Sequence, residues 1–362
     1  MLKLDYRRDR DFSSRWPLMK RILDGKEIVY IFGTTRYSVI LNEYFKTKGI
    51  AVEGFVDDAT SEKSFQGLPI LKSHEIDKDV TIVTSVIEGR PRSVRTHLRN
   101  QQFEKIVNYF DFNYLDSSRF PIPFNARNYE KIKSNFSRLQ NLYDRLEDDL
   151  SRETLQIVLD ARINFDYDRQ KLEFKLASQY FEDFVGKDRI ASFVDAGGYD
   201  GSTTLRAKEI FRNLSKIYYI EPSPDGMITS RKRLAALKDC SVEFFQTALS
   251  SENRTTFITY GKGGANHLTD EGEVQTKVSN LDSLIDERVD YIKLDIEGEE
   301  INAIRGASRL ITEYRPSLAV CIYHEQNHFW EIPSLVMRMN PSYKIYIRHY
   351  TEGIFETVLY FI

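Results

Sequence analysis

A chain of 362 residues exceeds the ~300 residues at which a single hydrophobic core stops growing, so two domains are expected. Hydrophobic residues make up 41% of it, with 23 Phe and 21 Tyr, which excludes a disordered or fibrous chain. Fifty-one basic against 54 acidic side chains leave a net charge of -3 and no field to attract nucleic acid or an anionic membrane; the two cysteines, Cys240 and Cys321, exclude a disulfide framework and a four-cysteine zinc site.

The first residues, with Asp5, Arg7, Arg8, Asp9, Arg10 and Asp11, are too charged for the apolar core of a signal peptide. Nor does the chain reach the ~18 consecutive apolar residues of a membrane-spanning helix. A cytoplasmic protein without a membrane span is expected, in which the Asn-x-Ser/Thr triplets at Asn213 and Asn253 are accidental.

Residues 27–32 form an apolar strand, followed by Gly33-Thr34-Thr35 and a helical stretch carrying Val39, Ile40, Leu41, Tyr44 and Phe45. A strand turning through Gly into a helix begins a nucleotide-fold unit. Further strands follow at 52–56, 80–84 and 105–109, giving a small parallel sheet within a first domain of residues 1–124. Residues 125–188 read as a helical connector: glycine is absent from 125–185, and Leu139, Leu142, Leu146 and Leu150 recur at three- and four-residue steps.

From residue 189 to 362, strands at 190–195, 216–221, 242–249, 291–295 and 317–323 alternate with helices at the pace of a doubly wound sheet. Two last strands, around Tyr343 to Ile347 and at 357–362, lie too close for a crossover helix and should pair antiparallel at the sheet edge. The predicted class is α/β, with a seven-stranded Rossmann-like domain preceded by a smaller Rossmann-like domain and the helical connector.

The sharpest motif is Asp195-Ala196-Gly197-Gly198-Tyr199-Asp200-Gly201, a buried strand ending in an acid and then a Gly-rich turn that opens a helix. Such a turn lets a ligand approach the backbone closely and offers helix N–H groups to a carboxylate or phosphate. The next strand ends at Glu221, an acid placed to accept ribose hydroxyls. In this order and at sheet spacing, the two features favour an adenosyl ligand. A third run, Ile292-Lys293-Leu294-Asp295-Ile296-Glu297-Gly298-Glu299-Glu300, puts Asp295 and Glu297 at a strand's carboxyl end, where ligands of open α/β sheets bind. Glu299 and Glu300 read as caps of the following helix.

Asp195 to Gly201, Glu221-Pro222-Ser223-Pro224 and Ile292 to Glu300 resemble the three signatures of the FkbM family of S-adenosylmethionine-dependent methyltransferases. Gln246-Thr247-Ala248-Leu249-Ser250, Asn280-Leu281-Asp282-Ser283-Leu284 and Arg315-Pro316 agree, so the resemblance covers about residues 179–362. It implies methyl transfer from S-adenosyl-L-methionine to a hydroxyl of a saccharide or related metabolite. The residues it assigns to the cofactor are Asp195, Gly197, Gly198 and Gly201, Glu221 at the ribose, and Thr247 and Ala248 near the adenine. The alternative is a non-catalytic nucleotide-sugar-binding or regulatory module that retains the methyltransferase fold.

A hydroxyl acceptor benefits from a base. The candidates are His324, which follows the fifth strand, with Asp295 and Glu297 beside it, and His349 as a third. His267, after Gly263-Gly264-Ala265-Asn266, sits on a Gly-rich loop placed to cover the site. A divalent metal held by Asp295, Glu297 and His324 would be another way to polarise an acceptor, but the spacing is not diagnostic and no metal is expected. Gln179-Tyr180-Phe181 resembles a segment that precedes the core in related proteins, which would bring the connector against the site.

In the first domain, Gly54-Phe55-Val56-Asp57-Asp58 and Gly67-Leu68-Pro69-Ile70 resemble the small Rossmann-type domains of some sugar-modifying enzymes. Gly33-Thr34-Thr35-Arg36 lacks the later glycines of a dinucleotide fingerprint, which argues against tight NAD binding. The domain is expected to present substrate, with Arg36 near a phosphate, or to serve as a scaffold for a homo-oligomer.

Overall fold

The computed structural model describes residues 1–123, 128–166, 172–260, 266–269 and 274–362. Strand β1 (Val29–Phe32) is a short apolar run, and β2 (Val52–Val56) and β5 (Thr81–Thr84) flank it in parallel. β3 (Ser64–Phe65) and β4 (Leu68–Leu71) form a hairpin whose turn residues Gln66 and Gly67 both take positive φ, as a tight hairpin demands. With β6 (Ile106–Asn108) they complete a six-stranded sheet in the order β3-β4-β2-β1-β5-β6. The helix Arg36–Thr47 packs on it through Tyr37, Leu41 and Phe45, spaced one turn apart. The sequence reading passed over the helix Arg8–Leu23, whose apolar signal is thin. It buries Phe12, Met19 and Ile22 among many charges and carries Pro17 within it.

The second sheet holds seven strands in the order β16-β17-β15-β14-β7-β8-β9: β7 (Ser192–Ala196), β8 (Lys216–Ile220), β9 (Ser241–Phe245), β14 (Tyr291–Leu294), β15 (Ser317–Cys321), β16 (Ile345–His349) and β17 (Thr357–Phe361). All neighbours are parallel except β17, which runs antiparallel to both β15 and β16. The predicted fold class and the antiparallel edge are therefore both present.

The predicted strand 242–249 divides in two. After Phe245 the chain turns at Gln246 and Thr247, and β10 (Ala248–Leu249) leaves the main sheet to pair with β13 (Val274–Ser279). β13 joins β11 (Arg254–Tyr260) and β12 (Asn266–Thr269) in a separate four-stranded sheet that the sequence reading did not anticipate. The loop 261–265 lies outside the described residues, so the expectation for a covering loop there rests on residues not described.

The connector is helical at Asn128–Ser134, Phe136–Arg145 and Asp149–Asn164 but not through to 188. Phe165 takes a left-handed conformation that ends the last helix, and among the described residues after it up to 188 only short 3-10 turns follow. The aromatics beyond it pack on the sheet instead of forming a helical stripe: Phe181 meets Phe211 at 5.6 Å and Phe184 stacks on Tyr346 at 4.2 Å. One continuous core runs from Met19 and Phe45, through Leu139 and Leu155 of the connector, to Ile292, Leu318 and Leu359. The two sheets thus share their hydrophobic interior. Among the described residues, no helix is long and apolar enough to cross a membrane.

Candidate active site

The end of β7 and the start of the next helix are built around close approach. A Cβ on Gly197 would fall 1.8 Å from the Asp295 carbonyl oxygen, and one on Gly198 2.2 Å from the Tyr219 ring. Only glycine fits at either place. Gly201, at φ +81, precedes the helix Ser202–Ile210. Beneath this turn Lys293 donates to Asp195 Oδ1 at 3.0 Å and to the carbonyls of Ala196 and Gly197 at 3.2 and 2.7 Å. Burial works against the ammonium, but Asp195 and Asp295 outweigh it and push its pKa up to about 12.

Asp195 departs from the expectation of a ligand contact. It is fully buried, and its second oxygen accepts from Thr204 Oγ1 at 2.6 Å, so it braces the turn from below. Glu221 is held by backbone N–H groups of Tyr199 at 2.9 Å and Ser223 at 2.8 Å, one on each oxygen. Burial raises its pKa, partly offset by those two hydrogen bonds. A cavity of about 670 Å³ opens over Gly197, Gly198, Glu221, Thr247 and Ala248, with Ile220, Leu249 and Ile258 as apolar wall. Thr247 Oγ1 lies 3.0 Å from the Lys277 carbonyl, which pins the point where the chain leaves the main sheet.

The far wall of the same cavity is acidic: Asp295, Glu297 and Glu356 face it. Asp295 accepts from Tyr180 Oη at 2.9 Å and from Tyr323 Oη at 3.1 Å, one tyrosine to each carboxylate oxygen. Tyr180 comes from the connector, so the segment Gln179-Tyr180-Phe181 does lie against the site. Gln179 donates both to Tyr180 Oη and to Glu356.

His324 sits among three carboxylates. Its Nδ1 is 2.8 Å from Glu300 Oε1, and its Nε2 is 3.5 Å from Asp295 and 3.6 Å from Glu297. Burial opposes its charge, but Glu300, Asp295 and Glu297 outweigh burial and raise its pKa to about 9. Those carboxylates favour its charged form at neutral pH, which disfavours the expected role as base. Glu300, far from a solvated cap, is fully buried and also accepts from Ile296 N at 3.0 Å. Burial would raise it, yet His324 and His328 bring it down to about 2.

Glu297 has the opposite balance: burial, with Asp295 and Glu300 nearby, outweighs His324 and lifts its pKa to about 7. Its backbone is left-handed, at φ 56, which turns the side chain out of the helix start into the cavity. Glu356, which no motif announced, is raised to about 7 by burial and by Asp295. His349 is buried against Thr357 Oγ1 at 2.8 Å and lines neither large cavity. Burial and Arg162 lower it to about 3, so it is a packed neutral group and not a third base.

Asp295, Glu300 and His324 bring ligand atoms within 4.8 Å of one another. His324 Nδ1 is spent on Glu300, so the trio is an ion-pair cluster, with Glu300 in the place the sequence reading gave Glu297.

Residues 195–344 match the family described as "Methyltransferase FkbM domain". Comparison with curated proteins gives no significant match. Among solved structures, the methyltransferase FkbM from Methylobacillus flagellatus KT is 20% identical with a TM-score of 0.71, covering 98% of this chain and 99% of its own. A putative rRNA methylase from Clostridium thermocellum is 14% identical over 52% of this chain and 95% of its own, at a TM-score of 0.34. The first of these extends the likeness of fold across both sheets and the connector. Residues 195–344 thus carry the match to the FkbM methyltransferase domain, within a fold that the Methylobacillus structure shares along the whole chain.

Proposed function

We propose that the chain transfers a methyl group from S-adenosyl-L-methionine to a hydroxyl oxygen of a saccharide or related metabolite, with Glu297 as the base. The residues present fit the donor. The cradle at Gly197 and Gly198 admits no Cβ, Glu221 keeps lone pairs toward the cavity for ribose hydroxyls, and the acidic wall suits a cationic sulfonium. Thr247 and Ala248, beside Leu249 and Ile258, would receive the adenine. Bound there, the donor supplies an already activated methyl group, so the protein's task is alignment and exclusion of water.

The observation that carries the reading is the place of Glu297: it lies in the wall of the donor cavity and of a second cavity next to it, and its pKa matches the operating pH of a general base. Glu297 would take the hydroxyl proton, while Asp295, held by two tyrosines, and the His324 imidazolium fix its orientation and balance its charge.

The purified chain, given S-adenosylmethionine and a panel of free and glycosidically linked sugars, should yield a methylated sugar by mass spectrometry, and the Glu297→Gln variant far less. Methyl transfer to nitrogen or carbon acceptors only, with no sugar modified, would overturn the hydroxyl assignment.

A further inference from the structure

The two sheets each carry a point where the chain order reverses, and these points face one cleft. In the first sheet the chain steps from β1 to β2 on one side and returns to β5 on the other. In the second it steps from β7 to β8 and later returns to β14. Ligands of open α/β sheets bind beyond the carboxyl ends at such points. A second cavity, of about 450 Å³, occupies the cleft. Its first wall is Arg36 and Tyr37 after β1 and Glu88 after β5; its second is Glu297, Tyr323 and His324 from the methyltransferase sheet. Glu297, Tyr323 and Glu356 line both cavities.

The chemistry of the first wall argues against a nucleotide. Three of the N–H groups that a phosphate loop would offer are used internally: Gly33 N donates to the Val56 carbonyl, Thr34 N to Asp57 Oδ2 and Ser38 N to Thr35 Oγ1. Asp57, at the position of a ribose acid, is spent on Thr34 Oγ1 at 2.8 Å and on the backbone of Ala59 and Thr60. Carboxylates predominate in the cleft, with Glu88, Glu297 and Glu356 against Arg36 and His324, and Arg36 is itself paired with Glu88 at 2.7 Å. With Glu297 and Glu356 both raised to about 7 and His324 cationic, these charges come close to cancelling, so the cleft offers a diphosphate no net attraction.

Resting on the function proposed above, we infer that this second cavity is the acceptor site and that it holds a neutral pyranoside through Arg36, Tyr37 and Glu88. The Arg36–Glu88 pair sets a donor and an acceptor side by side, the arrangement that two adjacent hydroxyls satisfy together. Tyr37 Oη, 2.5 Å from Glu88, completes the polar edge, and Tyr323 and Phe355 give the ring an apolar face. The first domain is thereby a specificity device: it presents one hydroxyl to Glu297 across the wall shared with the donor.

The test is saturation-transfer NMR on the full chain with S-adenosylhomocysteine present, using methyl hexopyranosides, methyl 6-deoxyhexopyranosides and inorganic pyrophosphate as probes. A glycoside should bind the wild type, and Arg36→Ala and Glu88→Gln should each weaken it ~10-fold or more, the loss of a hydrogen bond to a charged group. Calorimetry should find S-adenosylhomocysteine affinity unaltered in both variants, which also shows them folded. Glycoside binding untouched by either variant would place the acceptor elsewhere. Pyrophosphate binding lost in Arg36→Ala, or no binding of any glycoside, would overturn the neutral class. Failure of the wild type to bind S-adenosylhomocysteine would instead sink the donor reading.

Discussion

Lys293 Nζ lies 3.0 Å from Asp195 Oδ1 in an ion pair whose side chains are 2% and 0% exposed. The pair joins the ends of β14 and β7, and through Lys293 it holds the carbonyls of the Gly-rich turn in place. Breaking a buried pair from one side leaves an uncompensated charge, so Lys293→Met should cost about 3–5 kcal/mol of stability by urea denaturation. Removing both charges, as Asp195→Asn with Lys293→Met, should recover much of that loss while still loosening donor binding. A double variant no more stable than the single one would mean that the ion pair is not what organises the turn.

The grip on the donor is expected to run through Glu221. Hydrogen bonds to a charged group are worth about 1.5–3 kcal/mol, so Glu221→Ala should weaken S-adenosylhomocysteine roughly 10- to 100-fold. Calorimetry measures this directly, and affinity unchanged in the variant would remove Glu221 from the site.

Turnover should follow a bell in pH. Below about 7 Glu297 holds a proton and cannot take another, so the rate rises as pH climbs through that value. Above about 9 His324 loses the charge that offsets its carboxylate neighbours, and the rate falls. The two limbs belong to the coupled cluster and not to single residues. Glu297→Gln should lower kcat ~10²- to 10⁴-fold and abolish the acid limb. A profile that keeps its acid limb in that variant would assign the base to another group.

The same acids should make the cavity tell donor from product by charge. S-adenosylmethionine carries a sulfonium that S-adenosylhomocysteine lacks. Two unit charges ~8 Å apart interact by about 2 kcal/mol at an effective dielectric near 20. As pH drops from about 8 to about 6, Glu297 and Glu356 gain protons and the acidic wall weakens. Donor affinity should then decline while product affinity stays nearly constant. Parallel changes for both ligands in calorimetry would show that the wall does not sense the sulfonium.

Much of this site could be read from residue order because its parts are contiguous. The turn from Asp195 to Gly201, Glu221 and the run from Asp295 to Glu300 each sit where a strand ends, and strand ends are what a doubly wound sheet gathers together. The residues that escaped notice meet only in space. Tyr323 donates to Asp295 from the segment after β15, Glu356 comes from the loop before β17, and Glu88 belongs to the other sheet; Tyr180 and Arg36 were singled out, but not their pairing with Asp295 and Glu88. Nor does residue type reveal charge state: His324 looked like a base until Glu300 was found beneath it, and Glu297 owes its raised pKa to burial. The split of 242–249 escaped because Phe245 and Ala248 are both ordinary strand residues, and pairing with β13 decides the break.

Arg162 carries the last expectation. It projects from the connector helix Asp149–Asn164, is almost wholly buried, and donates through Nη2 to the carbonyls of Tyr323 at 3.1 Å and Ile354 at 3.3 Å. Phe329 packs its ring 5.0 Å from the guanidinium. One side chain therefore ties the segment after β15, which bears Tyr323 and His324, to the loop that leads to Glu356. Arg162→Met keeps most of the volume but leaves both carbonyls without this donor, at about 1.5–3 kcal/mol for each. Because the residue touches neither cavity, its loss should lower kcat while leaving S-adenosylhomocysteine affinity in place. Arg162→Lys, which restores one donor, should recover part of the rate. A variant that loses stability in denaturation yet turns over normally at low temperature would make Arg162 a core residue with no hand in positioning the site.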